Sequence, residues 1–199
     1  MTARPTVLDG GMGRELMRIG APFRQPEWSA LALTEGPDRV VEAHRNFIAA
    51  GAEVITTNAY AVVPFHIGAD RFAAEGLALA RTAGHLARRA ADESRTGVRV
   101  AGSLPPLFGS YEPDLFDQAA APDIIDPLID GQGAAVDLWL AETLGSIAEA
   151  YEVRRALDRA GDTTRLWISY ALHRTVPGQL ISGEPVVDAV AAALDLGAT

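Results

Sequence analysis

Two carboxylates in this sequence stand where buried strands are expected to stop, and that placement is chemistry before it is structure. Glu142 closes the run Ala135-Val136-Asp137-Leu138-Trp139-Leu140-Ala141-Glu142, which a Gly145-Ser146 break separates from the helical pattern Ile147 to Arg159. An apolar run of that length followed by a new 3.6-residue period reads as a strand of a parallel sheet, Val136 to Glu142. The carboxyl end of such a strand is where α/β folds bind ligands. A carboxylate there costs desolvation unless a cation meets it. All 17 basic residues are Arg and none is Lys, so a ligand ammonium is a natural counterpart. The competing structural role for Glu142 is to face the positive end of the following helix.

Asp9 opens the second constellation, Leu8-Asp9-Gly10-Gly11-Met12-Gly13. Glycines after a strand allow close backbone approach and leave N–H groups free for an anion such as a carboxylate. The dinucleotide fingerprint is excluded because Leu16 stands where its third glycine belongs. A glycine turn also serves structure alone. Asp9 has less packing reason to be there. Two further strand ends offer polar groups: Thr56-Thr57-Asn58-Ala59-Tyr60, and Gly102-Ser103-Leu104. Ser103 lacks the Gly-x-Ser-x-Gly elbow of a nucleophile and is read as a ligand contact. Among the histidines, His44 falls on an apolar helix face, His85 on a helix surface, and His66 and His173 after strand ends. Asp9, Glu142 and His173 are a conceivable oxygen and nitrogen metal set, although no spacing enforces it.

The elements that must position these residues alternate strand and helix. Strands are expected over Thr6 to Gly11, Glu53 to Asn58, Val98 to Ser103, Val136 to Glu142 and Leu166 to Leu172. Helical stripes lie between them: Val40, Val41, His44, Phe47 and Ile48 after Pro37 and before Gly51, and then Phe72, Leu79, Ala80, Ala83, Leu86 and Ala87. Ile125, Leu128 and Ile129 follow Pro122, then come Ile147, Tyr151 and Leu157, and finally Val186, Val187, Val190 and Leu194 after Pro185. These five βα units imply a parallel sheet with right-handed crossovers, either a doubly wound sandwich or the first five units of a (β/α)₈ barrel of the TIM type. At roughly 40 residues per unit, eight units make a chain of about 320, within the barrel range. The 199 residues read as one domain.

Composition removes whole classes of chemistry. Without lysine there is no Schiff base and no Walker-type phosphate lysine, and without cysteine there is no thiolate nucleophile, disulfide or cysteine-held metal. A formal net charge of −9 argues against a nucleic-acid partner. No apolar run approaches the roughly 20 residues of a membrane span, and Met1 to Thr6 carries no leader pattern, so a cytoplasmic protein is expected.

Taken jointly, Leu8-Asp9-Gly10-Gly11-Met12-Gly13-Arg14-Glu15-Leu16, Trp28-Ser29-Ala30, Gly51 to Tyr60, Ala101-Gly102-Ser103 and Ala141-Glu142-Thr143 resemble the homocysteine S-methyltransferase family in order and spacing. The resemblance implies a (β/α)₈ barrel that binds homocysteine and methylates its sulfur to give methionine. The donor would be S-methylmethionine, a related onium compound or betaine. It implies that Glu142 holds the substrate ammonium and that Asp9, Gly10, Gly11 and Met12 lie against the amino-acid end, with Asn58 and Ser103 as further substrate contacts. Trp28 and Tyr60 would contact the methyl donor, since an onium cation is drawn to an aromatic face by roughly 0.5–2 kcal/mol. It also implies a zinc ion held by three cysteines, one after the sixth strand and a pair near the last. No ligand for it exists in this cysteine-free chain. The expectation is therefore a chain covering about two-thirds of the barrel, inactive alone. Two alternatives are a non-catalytic half-barrel that self-associates through open sheet edges, and an unrelated metal-dependent barrel hydrolase.

Overall fold

The computed structural model describes residues 4–199; Met1, Thr2 and Ala3, on which part of the leader reading rests, lie outside the described residues. Four parallel strands form one sheet: β1 (Val54–Thr56), β2 (Arg99–Leu104), β3 (Leu138–Leu144) and β4 (Leu166–Tyr170). Each pairs with its predecessor in sequence, with Val54 opposite Arg99, Ala101 opposite Leu138 and Trp139 opposite Leu166. A doubly wound sheet reverses its strand order at a switch point, whereas strictly sequential order is that of a (β/α) barrel. The fold is α/β with a parallel sheet in the barrel sequence.

Eight helices accompany these strands among the described residues: α1 (Met12–Arg18), α2 (Leu31–Glu35), α3 (Pro37–Ala49), α4 (Pro64–Ile67), α5 (Ala69–Ser94), α6 (Pro122–Gln132), α7 (Ile147–Arg159) and α8 (Val186–Asp195). None is long and apolar enough to cross a membrane. Proline occupies the first turn of α3 and α6, where its missing N–H costs nothing. Ser146 and Glu149 close a reciprocal capping box on α7, with the Gly145 and Ser146 amides donating to Glu149 at 2.8 Å. The helix-facing carboxylate at this junction is thus Glu149, which frees Glu142 from that role.

Alternation along the strands gives the sheet two faces. Ile55, Val100, Trp139 and Ala141 join the buried helix residues, among them Val41, Ala87, Leu128 and Leu157. Val54, Ala101, Leu138 and Leu140 form a separate cluster on the other face, with Trp167 against it. Stepping two residues at a time, that second face continues to Thr56, Ser103 and Glu142. The carboxyl ends of three adjacent strands therefore converge on one spot.

Several expectations are corrected. The segment from Thr6 to Gly11 is not a regular strand: Leu8 makes a single parallel bridge to Val54, and the Glu53 amide donates to the Val7 carbonyl at 2.8 Å. Paired on one side only, Val7 and Leu8 remain 48% and 40% exposed. Strand β3 begins and ends two residues later than expected, because a bulge extends it beyond Glu142. Strand β4 stops at Tyr170, and Leu172 instead bridges antiparallel to Leu180 in the following loop. On α8 the expected apolar stripe faces outward, with Val187 and Leu194 72% and 68% exposed. Its packed face is Ala189 and Ala192, whose small side chains allow close approach.

His44 is a core residue, fully buried on α3 with neither ring nitrogen partnered. Burial pushes its pKa down to about 4. His85 is exposed on α5, as its position on the helix surface implies.

Candidate amino-acid binding site

Above the converged strand ends lies a cavity of about 630 Å³, within the range of about 300–1,000 Å³ typical of small-molecule sites. Asp9, Gly10, Gly11, Met12, Asn58 and Glu142 line it, as do Trp28 and Tyr60. Residues more than 130 positions apart are brought together here, and both carboxylates singled out in the sequence face the same space.

Glu142 is half-buried on β3 and accepts a hydrogen bond at Oε1 from the Ser103 hydroxyl at 2.7 Å. Burial raises its carboxyl above the usual range, the Ser103 bond partly offsets this, and the charge of Asp9 raises it further. No cation bridges it among the described residues. Its exposure to the cavity depends on the bulge: Ala141 pairs with Ile168 and Leu144 with Tyr170, so three steps on β3 match two on β4. The extra residue is taken up at Thr143, whose φ of 63° is unusual for a β-branched side chain. Such a conformation costs about 1–3 kcal/mol and persists where the surroundings enforce it.

Asp9 receives two bonds from Thr56, the backbone N–H to Oδ2 at 2.7 Å and the hydroxyl to Oδ1 at 3.0 Å. Burial outweighs both and pushes its pKa up to about 6. The glycines beside it divide their work. A side chain at Gly10 would meet the Phe47 ring at 3.0 Å and one at Gly13 the Phe23 ring at 2.9 Å, so both are demanded by packing. Gly11 has only the Arg14 stem nearby, at 3.9 Å, and leaves its backbone open to the cavity. The amides of Gly10, Gly11 and Met12 bond no backbone carbonyl among the described residues.

Asn58 is buried and donates from Nδ2 to the Ser29 carbonyl at 2.8 Å, which fixes its amide. Its Oδ1 is buried without a hydrogen-bond partner, on a residue that lines the cavity. Ser103 is fully buried and sits beneath the lining, where its hydroxyl holds Glu142. Behind it lies a network that sequence reading missed. The Ser103 amide donates to Thr57 Oγ1 at 3.0 Å and Gln132 Oε1 at 3.1 Å, while Gln132 Nε2 donates back to the Ser103 and Leu128 carbonyls. A signal existed: Gln132 follows Leu128 by four residues on the apolar stripe of α6, an odd place for an amide unless it is bonded.

Aromatic residues complete the lining, and Tyr60 among them stands close to Thr143 and Glu142. Trp28 is 39% exposed and meets Phe23 edge-on at 5.8 Å and the His66 ring at 6.2 Å. Tyr60 hydrogen-bonds Ser110 at 2.8 Å, and burial raises its phenol pKa. Tyr111, 53% exposed, joins the lining from the loop after β2, and no periodic pattern announced it. Trp28 and Tyr111 both carry positive φ, 50° and 66°, so three of the four such non-glycine residues line this cavity.

His66 reaches the cavity, but His173 does not. The His173 Nδ1 accepts from the Thr175 and Val176 amides in the loop after β4. The metal set of Asp9, Glu142 and His173 is therefore not assembled, and no grouping of three His, Cys, Asp or Glu among the described residues could hold a metal ion.

A parallel sheet in sequential strand order, with a cavity lined by two acids and several aromatic residues at its strand ends, is an α/β fold of the barrel type. The family model for homocysteine S-methyltransferase matches residues 6–199, and the chain belongs to that family. Homocysteine S-methyltransferase of Escherichia coli is 32% identical over 209 residues, covering 93% of this chain and 64% of the relative. The enzyme YbgG of Bacillus subtilis is 29% identical over 189 residues, covering 83% of this chain and 58% of its own. The chain thus spans less than two-thirds of the length of these relatives. The metallated form of homocysteine methyltransferase MmuM from Escherichia coli superposes with a TM-score of 0.83 at 27% identity, over 97% of this chain and 72% of that one.

Proposed function

We propose that this chain forms the amino-acid and onium binding half of a homocysteine S-methyltransferase. In that reaction the homocysteine sulfur forms a bond to a methyl carbon as the carbon's bond to a cationic sulfur or nitrogen breaks. The products are methionine, the neutral demethylated donor and the thiol proton, which is released to solvent. The observation that carries the reading is Glu142, a carboxylate held in a cavity by Ser103 with no cation bridging it among the described residues.

An ammonium carries three donors and needs three acceptors. Glu142, Asp9 and the unpartnered Oδ1 of Asn58 supply them, and the free amides of Gly11 and Met12 suit the substrate carboxylate. Trp28 and Tyr60 face the onium donor, whose positive charge the rings attract. Thr57 and Gln132 hold the Ser103 backbone, and Ser103 in turn fixes the rotamer of Glu142.

These residues bind and orient. The zinc that the family resemblance implies would supply thiolate chemistry, but the donor set here does not fit it: the sequence has no cysteine and the described residues offer no cluster of three ligands. No step of the reaction is assigned to this chain through a metal.

Calorimetry with homocysteine on wild type and Glu142→Gln tests the reading. A hydrogen bond to a charged partner is worth about 1.5–3 kcal/mol, so affinity should fall roughly 10- to 100-fold. Equal affinity in the two proteins removes Glu142 from the site.

A further inference from the structure

We propose that His66 is a specificity-determining residue for the onium donor, serving as an uncharged third wall beside Trp28 that accepts a sulfonium and turns away competing chemistry. This rests on the reading of the cavity as a homocysteine and onium site, and extends it to a residue outside the family resemblance.

The geometry carries it. His66 sits on α4, a single turn between β1 and α5, and lines the cavity half-buried. Its ring stands 6.2 Å from Trp28 at 68°, and 4.2 Å from Phe65. Two rings at a steep angle make a corner, the arrangement by which aromatic faces surround a cation from more than one side. A protonated imidazole in that corner would repel the ligand. Burial keeps the ring neutral by holding its pKa below the ordinary value, and outweighs the Pro26 backbone, which acts in the opposite sense. The result is an electron-rich wall that costs no charge repulsion.

The same corner explains why the wall belongs to the donor rather than to homocysteine. Of the two carboxylates in the lining, Glu142 stands on β3 and is bonded to Ser103 and Asp9 is bonded to Thr56, whereas the neighbours of the His66 ring are Trp28 and Phe65. A cation bound there is held by ring faces, which favour a soft, poorly hydrated onium over an ammonium with its strong hydration.

The test uses S-methylmethionine and homoleucine, its carbon isostere, which shares the ammonium and carboxylate but lacks the positive sulfur. Both are titrated by calorimetry into the homocysteine-saturated chain, as wild type, His66→Phe and His66→Arg. Wild type should prefer the sulfonium. His66→Phe keeps a π face and should keep that preference within about threefold, while His66→Arg places a charge near the ligand and should cut sulfonium affinity about tenfold or more. Homoleucine and homocysteine affinities should change little. Equal losses for sulfonium and isostere in His66→Arg would mean simple steric blockage and overturn the proposal, as would an unchanged ratio, a wild type without preference, or a His66→Phe variant that loses it. If wild type binds homocysteine but shows no sulfonium preference, only the His66 assignment fails. If it binds neither compound, the reading of the cavity fails with it.

Discussion

Glu142 and the side chains that hold it stand on strands, whereas most of the aromatic lining comes from loops. Thr56, Ser103 and Glu142 project from β1, β2 and β3, and each is pinned by hydrogen bonds to its neighbours. Trp28, Tyr60 and Tyr111 come from connections between elements, Trp28 and Tyr111 with positive φ, and His66 comes from the single turn of α4. The sheet holds a charge at a fixed point, where an angstrom of error would lose an ammonium. A ring face tolerates more displacement, so loops suffice for a cation without directional donors. The two walls therefore divide recognition by chemistry: directional hydrogen bonding on one side, non-directional attraction on the other.

A crossed pair of substitutions is the strongest way to break this division. Glu142→Gln should weaken homocysteine by the roughly 10- to 100-fold expected for a charged hydrogen bond, with sulfonium preference over homoleucine unchanged. Trp28→Ala should do the reverse, lowering S-methylmethionine affinity by about 2- to 30-fold, as loss of roughly 0.5–2 kcal/mol of cation attraction implies, and sparing homocysteine. If either variant weakens both ligands equally in calorimetry, the walls are not independent.

Acidity should weaken homocysteine binding through the carboxylates. Asp9 titrates at about 6 because burial disfavours its charge, and the Glu142 carboxyl is raised by burial too. An ammonium favours the ionised forms, so homocysteine affinity should rise with pH through about 6. For one group of that pKa the ionised fraction grows about tenfold between pH 5 and 7, which bounds the effect near one order of magnitude. A homocysteine dissociation constant that is flat over this range would remove Asp9 from ammonium binding.

Beneath the acidic wall, Ser103→Ala should cost homocysteine about 2- to 10-fold, the worth of an ordinary hydrogen bond of about 0.5–1.5 kcal/mol. Losing the hydroxyl also removes the interaction that lowers the Glu142 pKa, so the pH midpoint of binding should move upward. An affinity loss without that movement would mean that Ser103 acts on packing alone.

The same division governs what the sequence could show. Strand alternation and the 3.6-residue stripes were legible, and with them Asp9, Glu142 and the polar run at Thr56 to Asn58. Such periods follow from burying one face of an element, which any residue string records. The bulge at Thr143 was not legible, because register slips depend on the neighbouring strand rather than on local propensity. The first segment looked like a strand from its own residues and made only one bridge, to Val54. On α8 the larger apolar residues, Val187, Val190 and Leu194, marked a stripe, yet the alanines between them pack. Size alone does not say which face is buried. Tyr111 and the His66 to Trp28 corner arise where loops cross, and no spacing rule relates residues that meet only through tertiary structure.

Asp9 offers the smallest effect and the sharpest sign. Its folded pKa, about 6, lies above the ordinary carboxylate value, so the ionised form is disfavoured by folding. That penalty is complete above pH 6 and vanishes as pH falls below the unfolded value near 4. Asp9→Asn keeps an oxygen to accept from Thr56 and removes the charge, so it should raise the melting temperature at pH 7 by a few degrees, about 2–4 °C for each kcal/mol in a chain of this size. The gain should disappear in melts near pH 4, where wild-type Asp9 is itself protonated when folded. Homocysteine affinity should fall in the same variant. A carboxylate that weakens the fold and strengthens the ligand is one the protein keeps for binding. If Asp9→Asn melts lower than wild type at pH 7, the Thr56 bonds outweigh burial and Asp9 is a structural residue of the first turn.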